Sequence, residues 1–300
     1  MSRLSCASSK QNSGSPSCDF DPGPDIGVII APVGATIATD AAGILEATWI
    51  TGRNLVEASR WYPLIFPGYI ETVTPTIDEP VFRDGNISGN RTKTRDGNVR
   101  SAFMLDNPAP CMTKALHSYD GQKWEAWVVT KNGYIRGTSS DGTLFDPFSI
   151  DFFAGNGASP TTGDEPSTVS YYIDFTDPSQ WNSYPAFVKP TAFDPTQMEG
   201  IKDVYLTLIS ASSSAIVVDV KGDCDSVGFS DLVTADFTLT LDSSGATVSI
   251  SGATESTSIA GRYSLAGTFT TAAHTLNLAQ QPDMTTKDVE STGSIAVTPS

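Results

Sequence analysis

Tryptophan disappears from this sequence after Trp181, and histidine is nearly missing, with only His117 and His274 in 300 residues. So little imidazole argues against most histidine-based metal and general-base sites. Neither histidine sits in a recognisable catalytic setting, and there is no GxSxG nucleophile motif. His117 reads instead as a capping or packing residue near a helix end. Cysteine is equally thin: Cys6, Cys18, Cys111 and Cys224 form no CxxC pair, which removes the common zinc and redox motifs. Cys6 and Cys18 are spaced to close a small loop in an oxidising compartment, and their Ser-rich setting suits free thiols equally well. No run approaches the roughly 20 apolar residues of a membrane-spanning helix. Residues 1–17 lack the apolar stretch of an export signal, so the expectation is a soluble chain that folds where it is made.

Charged residues are also sparse, at 17%, against 39% apolar, and Ser, Thr and Gly are plentiful. That balance can bury a real core and favours strands and turns over surface helices. The charge that is present is mostly negative. Residues 1–100 hold 9 basic and 11 acidic groups, residues 101–200 hold 5 and 12, and residues 201–300 hold 4 and 11, for a net of −16. Such a surface repels phosphate, which argues against sequence-reading nucleic-acid binding. It agrees with a channel along which DNA slides, and equally with solubility alone.

The loss of tryptophan marks a seam. Beyond Ser210 the chain is Ser, Thr, Ala, Gly and Val, with Phe229, Phe237, Tyr263 and Phe269 as its aromatic residues. The expected organisation is an arm over 1–24, a β domain over 25–209, and a second module over 210–300, with a linker near Ser210 to Ser214. In the first domain, Ile26 to Ile30, Tyr69 to Thr74, Val81-Phe82, Val99 to Leu105, Phe148 to Phe153, Val169 to Phe175 and Val204 to Ile209 read as strands. Lys123 to Val129 is a further strand with Trp124, Ala126 and Val128 on one face, returning through Asn132-Gly133 as a tight hairpin. Asp84-Gly85 and Asp96-Gly97 bracket a polar, locally basic stretch, the signature of a long hairpin projecting from a sheet. One helix is expected before Asp120, capped by Asn107 with Pro108 in its first turn. After Ala215 about seven short strands, including Ser258 to Tyr263 and Ala266 to Thr270, suggest an immunoglobulin-like sandwich.

Residues that suggest chemistry are mostly acidic and have plainer readings. Asp219, Asp223, Asp225 and Asp231 surround Gly222 and Gly228, but they miss the calcium-loop spacing and its closing Glu and read as an inter-strand turn. Asp19, Asp21 and Asp25 beside Pro and Gly are turn chemistry. Asp146, Asp151, Asp164, Glu165 and Asp174 offer carboxylate pairs for glycoside hydrolysis, which an acidic chain supplies without meaning. Trp124 and Trp127 read as packing before they read as a sugar platform. Arg83, Arg91, Lys93, Arg95 and Arg100 stand apart, a basic group in an acidic chain. Without interleaved aromatics it is no nucleic-acid patch. As an interface element it would meet acidic surface on a neighbouring copy; a solvated loop is the other reading.

The order of these features (arm, strand, extended polar hairpin over Val81 to Phe103, one helix over Pro108 to Ser118, Trp-bearing hairpin, small terminal sandwich) resembles the tail tube, or major tail, proteins of long-tailed bacteriophages. The resemblance covers residues 25–209 for the tube part and 215–300 for an outer immunoglobulin-like appendage. It implies a mainly β fold: a β-sandwich or barrel with one flanking α-helix, followed by the small sandwich. It implies a non-enzymatic virion protein without cofactors, made in the host cytoplasm, that assembles with itself into stacked rings. Its further partners would be tail completion, tape-measure or baseplate proteins, with DNA passing through unread and no membrane span. Asp84 to Arg100 would correspond to the ring-stacking loop. The Gly-rich loop Ala154 to Pro166 and the stretch Ser183 to Met198 depart from the family pattern. The competing expectations are a secreted or cell-surface adhesin or carbohydrate-binding module, and a capsid decoration or collar protein; a glycan-active enzyme ranks last.

Overall fold

The structure, a computed structural model, describes residues 23–38, 46–65, 70–84, 91–139, 144–155, 157–159, 166–183, 185–190, 193–280, 284 and 287–300. Residues 1–22 of the proposed arm, including Cys6, Cys18, Asp19 and Asp21, lie outside the described residues, as do Gly85 and residues 156 and 160–165 of the loop Ala154 to Pro166. The chain is mainly β, 48% strand against 12% helical. It divides into two compact units, Met1–Arg53 with Glu57–Gly200, and Asn54–Val56 with Ile201–Ser300.

The first unit contains strands β1 (Asp25–Ala31), β2 (Ile37–Ala38), β3 (Tyr62–Ile65), β4 (Ile70–Ile77), β5 (Val81–Asp84), β6 (Arg91–Arg95) and β7 (Val99–Asp106). They are followed by β8 (Lys123–Thr130), β9 (Ile135–Thr138), β10 (Leu144–Phe145), β11 (Phe148–Ala154), β12 (Thr168–Phe175) and β13 (Pro185–Val188). Among the described residues three α-helices punctuate them: α1 (Glu46–Arg53), α2 (Pro110–Ser118) and α3 (Pro178–Ser183). The main sheet runs β13-β9-β8-β11-β12-β7-β4, with β1 pairing both β3 and β8. Its three outermost strands each carry a proline, Pro63 in β3, Pro75 in β4 and Pro185 in β13. Proline has no N–H to offer a further strand, so these edges are blunted against sheet extension.

Strand parity sends alternate side chains to two cores. Val28, Ile30, Ala126, Val128, Ile150, Phe152, Tyr171, Ile173, Phe103 and Leu105 build one, capped by Leu116 of α2. In it Tyr171 stacks between Phe103 and Phe152, at 4.8 and 5.5 Å between ring centroids. Ile29, Ala31, Trp127, Val129 and Ile135 build the other, with Trp49 of α1 and Trp61. There the three indoles pack pairwise at 4.9–5.4 Å. Trp124, Ala126 and Val128 thus share a face as the alternation requires, while Trp127 serves the opposite one. The Asn132-Gly133 turn closes the β8–β9 hairpin, with Gly133 at φ +77°.

The single expected helix is α2, but two more are present, and its start differs from the sequence reading. Asn107 does not cap it; that residue sits in the left-handed region at φ +46°. Ala109 occupies the cap without a side-chain bond, and Pro110, not Pro108, opens the first turn. Asn107 is drawn out by its N–H bond to the Ser167 carbonyl at 2.6 Å.

The second unit is a two-sheet sandwich of β14 (Lys202–Ala211), β15 (Ala215–Gly222), β16 (Phe237–Leu241), β17 (Thr247–Val248), β18 (Ile250–Glu255), β19 (Arg262–Gly267), β20 (His274–Leu278), β21 (Val289–Ser291) and β22 (Ile295–Val297). One sheet has the order β18-β19-β15-β14-β21 and the other β17-β16-β20-β22. Naming β14 to β20 and β22 as A to G, with β17 as C′, gives D-E-B-A against C′-C-F-G, the immunoglobulin arrangement with β21 added beside A. Its core is Val204, Leu206, Ile216, Val218, Val220, Phe237, Leu239, Tyr263, Leu265, Leu276 and Leu278.

Two boundaries move. The seam falls at Gly200, not Ser210, because β14 pairs with β15 over Val204 to Ala211. The expected linker Ser210 to Ser214 is accordingly the end of β14 and a hairpin turn over Ser212 to Ser214, closed by Ser212 N–H on the Ala215 carbonyl at 2.8 Å. The expected strand Ser258 to Tyr263 is largely the β18–β19 turn. Gly261, at φ +75° with no room for a Cβ, donates its N–H to Glu255 Oε1 at 3.0 Å and fixes the reversal.

Candidate functional site

The basic group lies on a two-stranded ribbon that prolongs the main sheet. β4 and β7 pair from Ile70↔Leu105 to Ile77↔Val99, and the chain then bends. At the bend Asp78 N–H donates to the Asn98 carbonyl at 2.9 Å. Gly97 passes so close that a Cβ there would stand 1.7 Å from the Asp78 carbonyl oxygen, so only glycine fits. Beyond it β5 and β6 pair as Val81↔Arg95, Phe82↔Lys93, Arg83↔Thr92 and Asp84↔Arg91, with a bulge after Val81. Thr94 Oγ1 donates to the Val81 carbonyl at 2.9 Å.

The ribbon gathers four of the five basic residues. Arg83 is on β5, and Arg91, Lys93 and Arg95 take alternate positions of β6. Lys93 pairs with Asp96. Val81 and Phe82 are 45% and 47% exposed, and no ribbon residue belongs to the buried clusters among the described residues. Arg100 stands apart, on β7 inside the main sheet. Its Nε and Nη2 donate to Asp174 Oδ1 and Oδ2 at 2.5 and 2.6 Å, and the carboxylate raises the guanidinium pKa further.

Beside the ribbon's base the main sheet presents an open face. Register places Lys123, Asp151, Asp174, Arg100 and Thr76 in one row across β8, β11, β12, β7 and β4. The next row holds Phe153, Tyr172, Ala102 and Thr74. Phe153 is 41% exposed, and with Tyr172 and Arg100 it lines a shallow groove. This is the face that carries Trp127 and Val129 farther along, where the second core covers it. No local signal marks Phe153 or Tyr172 in the sequence; only pairing with neighbouring strands shows where they face.

Several of the remaining candidates hold neighbouring segments in place. Asp146 accepts from Thr36 Oγ1 at 2.5 Å and Glu125 accepts from Gly34 N–H at 2.8 Å, so both pin the segment 32–36. Burial pushes Glu125 upward, against the pull of the Gly34 and Ala35 amides and with a smaller push from Asp146. Asp164 and Glu165 lie outside the described residues. Asp219 is gripped by Arg262 Nε and Nη2 at 2.6 and 3.0 Å, and Asp225 Oδ1 accepts from Val227 N–H at 2.9 Å, so these two carboxylates are committed to internal bonds. Among the described residues no group of three or more His, Cys, Asp or Glu is placed to hold a metal ion. His117 is exposed and His274 buried.

Asp25, read as a turn residue, instead ties β1 to β9. Arg136 Nη2 donates to its Oδ2 at 2.7 Å, and the guanidinium lies 3.9 Å over the Trp181 ring. Burial dominates both partners, pushing Asp25 up and Arg136 down despite their mutual attraction. Cys111 and Cys224 are both disulfide-bonded. Among the described residues no helix is long and apolar enough to cross a membrane. The chain matches no protein-family model and no curated protein sequence.

Proposed function

We propose that this chain is a non-enzymatic structural subunit that polymerises into a tube of the phage-tail type, made of stacked rings through which DNA passes unread. The observation that carries the reading is the β5–β6 ribbon. Two strands alone are at best marginally stable in water. This pair holds Val81 and Phe82 half exposed and, among the described residues, contributes none to the buried clusters. It also concentrates cations in a chain of net charge −16. A neighbouring copy would add apolar cover over the exposed area of Val81 and Phe82 and further negative charge beside the cations. A contact between different patches of identical subunits closes into rings or continues into filaments, which is tube geometry.

Two further features agree with this reading. The acidic balance keeps DNA from sticking to a lumen wall. The second unit has a complete core of its own, as an appendage carried outside the wall would. Tail completion, tape-measure or baseplate proteins are the partners this role would bring, and the virion tail its location.

Charge reversal at Arg91, Lys93 and Arg95 together tests the reading. Sedimentation velocity of the unmodified full chain should show large assemblies that the triple variant loses or forms only at roughly tenfold higher concentration. Assemblies that persist unchanged in the variant would remove the ribbon from the account.

A further inference from the structure

Cys224 is disulfide-bonded, exposed, and set between Asp223 and Asp225 in the turn that follows β15. Successive Cα atoms are about 3.8 Å apart, so both carboxylates stand within the roughly 8–10 Å over which charges act in ordinary salt. The turn holds them there. Ser226 N–H donates to the Gly222 carbonyl and Gly222 N–H to the Val227 carbonyl, each at 2.9 Å. Asp225 Oδ1 accepts from Val227 N–H, also at 2.9 Å. Neither flanking carboxylate is neutralised by an ion pair among the described residues, and the nearby cations Lys221 and Arg262 are both held on Asp219, at 3.4 and 2.6 Å.

Exposed disulfides are ordinarily the labile ones, because thiolates can reach them. The attacking thiolate bonds to one sulfur while the S–S bond breaks, and the other sulfur leaves with the electron pair as a thiolate. A second thiolate then frees the first sulfur, so two reductant thiols become one disulfide and the protein gains two thiols. Asp223 and Asp225 oppose both directions of attack. An anionic thiol approaching the Cys224 sulfur meets like charge. Attack on the partner sulfur must expel Cys224 as a thiolate between two carboxylates. This holds whichever cysteine is the partner. We infer that Asp223 and Asp225 guard the exposed disulfide at Cys224 against reduction by anionic thiols, the class to which glutathione belongs. The device is independent of the assembly reading. It lets a bond made in an oxidising medium outlast contact with a reducing one.

The test follows reduction of the oxidised full-length chain, at low salt, by two thiols of opposite charge, mercaptopropionate and cysteamine. Each rate is read at Cys224 by timed alkylation and peptide mapping, then divided by the same thiol's rate on a small uncharged disulfide. The normalised rate should be at least about tenfold lower for mercaptopropionate, on the order of threefold from each carboxylate. Asp223→Asn combined with Asp225→Asn, which keeps an acceptor for Val227 N–H, should bring the two rates to within about threefold. Salt at about 1 M should do the same. Asp223→Asn alone is the milder variant, since its carboxylate makes no hydrogen bond or ion pair among the described residues, and it should give part of the effect. Equal normalised rates in the unmodified chain would overturn the guard. A ratio that survives both variants but collapses in salt would assign the effect to the net charge of the chain and overturn the roles of Asp223 and Asp225. Cys224 recovered as a free thiol from the oxidised chain would overturn the inference outright.

Discussion

Arg100 closes on Asp174 with two hydrogen bonds, and Asp174 faces Asp151 across the next strand pair. The guanidinium therefore relieves a like-charge contact as well as making an ion pair. Arg100→Ala should destabilise the first unit, by about 1 kcal/mol at most because the pair is solvent-screened. In an Asp151→Asn background the same change should cost less, since the repulsion is already gone. Urea unfolding followed by indole fluorescence reads this directly, because every tryptophan lies in the first unit. Equal costs in both backgrounds would deny the coupling.

The indole cluster sets a stricter limit. A Cβ on Gly52 would stand 2.1 Å from the Trp61 ring, so Gly52→Ala must displace that ring or α1. The expected cost is about 1–3 kcal/mol from overpacking. Trp127→Ala, which empties the middle of the cluster, should cost about 3–5 kcal/mol. The same fluorescence transition measures both.

In the second unit one hydroxyl holds a long inter-strand segment. Tyr263 donates to the Phe229 carbonyl at 2.8 Å and accepts from Leu232 N–H at 3.1 Å, and burial pushes its pKa up to about 12. Tyr263→Phe leaves both backbone groups short of a partner and should cost about 1–3 kcal/mol. Far-UV circular dichroism follows this transition, and an unchanged midpoint would contradict the role.

Acid should weaken the same unit. Arg262, then Lys221, hold the Asp219 carboxyl below its usual range, and the Gly261 and Asp231 amides do the same for Glu255. Carboxyls depressed by folding contribute stability that is present above the ordinary value of about 4 and is lost as pH falls through their folded values. Asp219→Asn should therefore be less stable at neutral pH and lose less between pH 7 and pH 3. A variant with the unmodified pH profile would show that the ion pair is not the source.

Cys111 and Cys224 should resist alkylation in denatured, unreduced protein and become reactive only after reduction. Peptide mass mapping with iodoacetamide decides it. Labelling at either position before reduction would contradict the bonded state.

The sequence was readable where one residue's chemistry decides local geometry. Asn132-Gly133 requires a tight turn, and the alternation of Trp124, Ala126 and Val128 requires a strand with one buried face. It was less readable where geometry depends on distant partners. Asn107 looks like a helix cap, but its backbone is claimed by Ser167, some sixty residues away. Ser258 to Tyr263 has strand composition, yet Glu255 and Gly261 bend it into a turn. The tryptophan seam marks two differently built cores, while the boundary lies ten residues earlier because β14 pairs forward. At the candidate site, the basic ribbon follows from its turn dipeptides and charge. The face with Asp151, Phe153 and Tyr172 needs the register of three strands to become visible.

Negative-stain electron microscopy of the purified full-length chain, imaged over a range of protein concentrations, addresses the central claim most directly. The account predicts rings or stacked tubes of uniform diameter. A population that remains monomeric at the highest concentration would contradict it.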